Sequence, residues 1–86
     1  MVGMRKSIHS KEQAALRQAL KQIRGKAGFS QTQLAEKLGK PQSFVSKYES
    51  GERRLDFLEV REICAQLEID IDDFGKLFER FLGESQ

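Results

Sequence analysis

Apolar positions recur at helical spacing along most of the chain, and strand-like alternation is nearly absent. Leu16, Leu20, Ile23 and Ala27 fall at i, i+4, i+7 and i+11 with Lys11, Arg17, Lys21 and Arg24 between them, and Ser10 followed by Gln13 has capping-box spacing. This pattern predicts an amphipathic first helix over residues 11–26, with Gly25 and Gly28 bracketing its end. Ser30 and Gln33 repeat the cap, and Leu34, Ala35 and Leu38 give a second helix over 31–38 a short apolar face. Gly39 stops it. Pro41, whose missing amide hydrogen costs nothing in a first turn, opens a third helix over 41–50 that Gly51 closes.

Asp56 and Glu59 cap a fourth helix over 57–67, lined on one face by Phe57, Val60, Ile63, Cys64 and Leu67. Asp70, Asp72 and Asp73 crowd the start of a fifth, where the helix dipole favours negative charge. Phe74, Leu77, Phe78, Phe81 and Leu82 follow at helical spacing. The expectation is an all-α, compact five-helix domain over residues 10–82, with a flexible N-terminal arm at 1–9 and a tail at 83–86.

Composition narrows the function classes. Eighty-six residues at 38% hydrophobic and 33% charged fit one small core, which excludes a two-domain enzyme. No apolar run approaches the roughly 20 residues of a membrane helix, and the start of the chain lacks a signal-peptide stretch, so a cytoplasmic protein without a membrane partner is expected. One cysteine forms no internal disulfide, and with one histidine it falls far short of a zinc cluster, so neither metal nor cofactor is expected. Cys64 reads as a packed structural thiol. His9 has no adjacent nucleophile and the aspartates at 70–73 read as helix-start charges, so no enzymatic activity is expected.

Charge changes the picture more. Residues 1–54 hold 12 Lys/Arg against 4 Asp/Glu, whereas residues 55–86 hold 3 against 9, so the net +2 conceals a basic half and an acidic half. A polyanion suits the first and not the second.

The segment QTQLAEKLGKPQSFVSKYESG, residues 31–51, meets the steric demands of a helix-turn-helix made by the second and third helices. Two helices crossing steeply over a tight turn need a small residue where their backbones approach, here Ala35, and one that tolerates positive φ, here Gly39. Leu34, Leu38, Val45 and Tyr48 supply the shared core. A helical wheel turns Val45 and Tyr48 inward, leaving Ser43, Ser46 and Lys47 outward and Gln42 in the exposed first turn. That face suits a major groove: Gln pairs bidentately with adenine, Lys donates to guanine acceptors, and Ser donates or accepts. The bland alternative is a solvated polar face of a small bundle.

SQTQLAEKLG followed by QSFVSKYESGERRL resembles the second and third helices, and the loop after them, of the lambda-repressor-like (Cro/repressor type) helix-turn-helix family, and the likeness covers about residues 12–80. The resemblance implies sequence-specific binding of double-stranded DNA by a homodimeric transcriptional regulator, a repressor on a (pseudo)palindromic operator. It assigns base reading to Gln42, Ser43, Ser46 and Lys47, and backbone contact to Ser30, Gln31, Lys40, Phe44, Ser50, Arg53 and Arg54. It also pairs Arg24 with Glu49, which the residues alone leave equally open as a weak surface pair. Pro41 and Phe44 stand where better-known members are often polar, so the base code does not transfer; Phe44 fits a thymine methyl contact, sugar cover or simple gap filling equally. Phe74, Leu77, Phe78, Phe81 and Leu82 give the last helix more apolar bulk than one small domain readily buries, which predicts a dimer interface at Leu77, Phe78, Phe81 and Leu82, the alternative being that all five cap the monomer core. Remaining partners are RNA polymerase or a cognate toxin. The rival readings are an antitoxin and a protein-interaction module built on the same bundle, with Arg5 and Lys6 either a minor-groove arm or a basic tail.

Overall fold

The structure, a computed structural model, describes residues 10–84. Five helices account for its regular structure, and no strand occurs among the described residues: α1 (Lys11–Lys26), α2 (Gln31–Leu38), α3 (Gln42–Ser50), α4 (Phe57–Gln66) and α5 (Ile71–Glu84). The stretch 1–9 expected as an arm lies outside the described residues, as do residues 85–86 of the expected tail, whereas Gly83 and Glu84 continue α5.

Caps set most of the boundaries. Ser10 accepts the Gln13 amide, and both Ser30/Gln33 and Asp56/Glu59 form reciprocal capping boxes, each satisfying amides that a helix start leaves unpaired. Pro41 departs from expectation. With φ −66° and ψ 155° it is an extended N-cap, so α3 begins at Gln42 with no side-chain cap. Leu67 likewise falls outside α4 and becomes its C-cap, followed by Glu68 at φ 60°, a left-handed residue that no glycine announces.

The core gathers Ala19, Leu20 and Ile23 of α1, Leu34 and Ala35 of α2, Val45 and Tyr48 of α3, Val60, Ile63 and Cys64 of α4, and Phe74 of α5. Ala35 is buried where α2 meets α3, and Gly39 adopts φ 69°, ψ 32° in the turn, so both steric requirements of the steep crossing are met by the residues that fit them. Helix α1 packs along α5, against α3, and so ties the two halves together.

Two apolar positions differ from the expected faces. Ala27 is the exposed C-cap of α1 rather than part of its buried face. Phe57 is 64% exposed, although its spacing places it with Val60 and Ile63. It occupies the first position of α4, on the rim of an open groove of about 360 Å³ between α1, α4 and α5 that also exposes parts of Leu16, Leu55, Val60, Phe74 and Phe78. Its neighbour Leu58 is 72% exposed. Ala15 and Ala19 are buried instead, small residues that a count of large apolar side chains passes over.

Candidate nucleic-acid interface

The short helices α2 and α3 bring their N-terminal residues together, and a chain of hydrogen bonds fixes them there. Arg24 on α1 donates to both oxygens of Glu49 on α3, from Nε at 2.7 Å and Nη2 at 3.0 Å, and from Nη1 to the Phe29 carbonyl at 2.8 Å. Glu49 Oε1 also accepts from Gln31 Nε2 at 2.9 Å, and Gln31 Oε1 accepts from Gln42 Nε2 at 3.0 Å. The pair is withdrawn from solvent, its side chains 14% and 4% exposed, and the Glu49 hydrogen bond holds the Arg24 guanidinium above its ordinary pKa. A part-buried ion pair thus extends through Gln31 to Gln42 at the surface. Of the Gln42 carboxamide, Oε1 and one N–H remain for another partner.

Along the outer side of α3, Ser43 and Lys47 are exposed and Ser46 is half-buried, with its hydroxyl donating to the Ser43 carbonyl at 3.3 Å. Ser50 donates to the Lys47 carbonyl and lies 3.1 Å from Glu52. Gly51 closes α3 at φ 90°, a conformation that calls for glycine, and the Arg17 guanidinium lies close over it.

A second cluster surrounds Phe44. Its ring meets Tyr48 edge-on, with centroids 5.6 Å apart at 74°, while Lys40 Nζ lies 5.3 Å and Arg53 Cζ 4.8 Å from its centroid. Phe44 is therefore a platform for two cations, one from the turn before α3 and one from the loop after it. Arg53 is further tied to Glu59 on α4, and that contact holds the arginine above and the carboxyl below its ordinary pKa. Glu59 belongs to the site in space although its sequence pattern marks it only as the partner of Asp56; the available signal was a carboxylate six residues beyond an arginine, across a loop.

The residues expected on DNA thus fall on α2, α3 and their two loops. Arg54 is exposed and partnered, and Ser30 serves the α2 cap. Leu77, Phe78, Phe81 and Leu82 are half-buried on α5, in a separate region built with α1 and α4. Cys64 is buried, and burial pushes its thiol up to about 11, which suits packing rather than reactivity. Among the described residues no group of three or more His, Cys, Asp or Glu is placed to hold a metal, and no helix is long and apolar enough to cross a membrane.

The helix-turn-helix family model matches residues 20–74 of this chain. Three solved structures of single-substitution variants of the restriction-modification controller protein C.Esp1396I are similar to it, at 22%, 23% and 25% identity with TM-scores of 0.81, 0.80 and 0.79. Each likeness covers 85% of this chain and 97% of the other. None of the curated proteins matches.

Proposed function

The chain belongs to the Cro/repressor-type helix-turn-helix family of DNA-binding transcriptional regulators, which is not a family of enzymes, and from that premise we propose that it is a sequence-specific repressor acting as a homodimer on a two-fold symmetric operator. Two copies of α3 enter successive major grooves about 34 Å apart. The observation that carries this reading is the Arg24–Glu49–Gln31–Gln42 chain of bonds, because it holds the starts of α2 and α3 in fixed register over one polar, solvent-facing surface.

In this reading Gln42, Ser43, Ser46 and Lys47 read bases, while Ser30, Gln31, Lys40, Phe44, Ser50, Arg53 and Arg54 meet the sugar-phosphate backbone. The α5 residues Leu77, Phe78, Phe81 and Leu82 join the two copies, with Phe57 and the adjoining groove extending the apolar surface. The protein works in the cytoplasm, where RNA polymerase is the competitor it excludes. A second reading, control of a restriction-modification system, is supported by the likeness to C.Esp1396I over 97% of that controller protein.

Selection of bound fragments from a random duplex library tests the whole proposal, with two-fold symmetric half-sites expected and unrelated fragments counting against it. Base reading and backbone contact then separate by substitution. Lys47→Ala should cost on the order of 1–3 kcal/mol on the selected operator alone, while Arg53→Ala should weaken operator and scrambled duplex alike and flatten the salt dependence by about one unit. Equal shifts on both duplexes for both variants would remove Lys47 from the reading face.

A further inference from the structure

Arg53 has five N–H donors, and its neighbours engage them in a particular way. Glu59 takes the end of the guanidinium in a fork, Oε2 accepting from Nη2 at 2.9 Å and Oε1 from Nη1 at 3.2 Å, while Nη1 also donates to the Arg54 carbonyl at 3.0 Å. The Phe44 ring supports the same guanidinium at 4.8 Å.

Glu59 is itself fixed. Its Oε1 accepts the Asp56 amide at 2.9 Å while its own amide donates to Asp56 Oδ1 at 2.8 Å, so the carboxylate is held by the cap of α4 and cannot follow Arg53 outward. The pair is also wet, with side chains 40% and 26% exposed, and an ion pair in that setting adds little to stability. A contact that is well formed, contributes little and faces water is easily exchanged. A phosphate offers the guanidinium the same anionic oxygen fork as a carboxylate.

We infer that Glu59 is an internal stand-in for a DNA phosphate, occupying Arg53 in the DNA-free protein and yielding it when a duplex phosphate arrives. The inference rests on the DNA-binding reading above. Because a phosphate carries no sequence information, the competition lowers affinity for every duplex equally, which keeps binding to unrelated DNA weak without altering which operator is preferred.

The test is a double-mutant cycle of Glu59→Gln and Arg53→Ala, with affinities measured by fluorescence anisotropy for one operator and one scrambled duplex at low salt. Glutamine keeps an oxygen for the Asp56 amide, so its thermal melt should match that of the unsubstituted protein. Glu59→Gln should tighten both duplexes by about threefold to fivefold, and the same change in the Arg53→Ala background should give less than half that increase. In the unsubstituted protein, the carbon-13 shift of the Glu59 carboxyl should move as duplex is added, towards that of a carboxylate without a guanidinium partner. An unchanged shift, no tightening, or equal tightening in both backgrounds overturns the inference alone. No duplex binding by any of the four proteins overturns the DNA-binding reading and the inference with it.

Discussion

Helix α3 buries Val45 and Tyr48 within nine residues, whereas α5 has fourteen residues and buries only Phe74. The side chains around α3 are held by directional contacts, through the hydrogen bonds of Arg24, Glu49, Gln31 and Gln42 in one chain, and in another cluster through the stacking of Lys40 and Arg53 on Phe44 and the Arg53–Glu59 ion pair. The inner face of α5 is ordered instead by apolar contact, with Leu77, Phe78, Phe81 and Leu82 half-buried and a groove beside it whose rim carries Phe57. A solvent-facing surface can therefore be ordered in two ways. Directional bonds position groups that must stay wet, whereas apolar surface is ordered only as far as something covers it. In the proposed function, the first region is a finished recognition surface and the second is half an interface.

The largest expected effect comes from removing the bond chain at its inner end, where the Glu49 side chain is 4% exposed. Glu49→Ala leaves Arg24 charged and without its carboxylate, and urea unfolding should show a loss of about 3 kcal/mol. A loss below about 1 kcal/mol would mean that apolar packing, not polar bonding, holds the α3 region. Next, Phe78→Glu should leave a folded chain that sediments as a monomer and binds operator roughly a hundredfold more weakly, because one half-site no longer recruits the other. Sedimentation of the unsubstituted protein as a monomer at micromolar concentration would erase the contrast between the regions.

The smallest effect tests whether polar satisfaction is complete near α3. The Tyr48 hydroxyl is buried and has no hydrogen-bond partner among the described residues, and desolvation raises its pKa well above the ordinary phenol range. Tyr48→Phe should thus leave stability unchanged or raise it by up to about 1 kcal/mol, read as an equal or higher melting temperature. A lower melting temperature would show that the hydroxyl contributes a bond of its own.

The helices were legible because local rules fix them. Ser10, Ser30 and Asp56 cap where their spacing to Gln13, Gln33 and Glu59 says they should, and Gly39 and Gly51 end α2 and α3 in left-handed conformations. Pro41 stands one position before the helix that its pattern opens, because its fixed φ suits either an N-cap or a first turn, and only ψ separates them. Glu68 at positive φ was illegible, since a non-glycine residue there is set by its surroundings. In the site, the outward residues of α3 followed from helical geometry, and the Arg24–Glu49 pair followed from family likeness. The bonds of Gln31 to Glu49 and of Arg53 to Glu59 did not, for they join residues 18 and 6 apart whose meeting depends on how whole helices pack.

The bond chain from Arg24 to Gln42 also constrains how such a protein can change its preferences over generations. Position 42 is not free to vary alone, because its carboxamide is oriented by Gln31, which is oriented by a carboxylate already committed to the interior. A new residue at 42 gives up the bond to the Gln31 oxygen and leaves that exposed acceptor to water, and the orientation it set is recovered most directly by a matching change at 31. Lys47 lies outside that chain, so divergence among descendants should begin there, with positions 31 and 42 changing rarely and together.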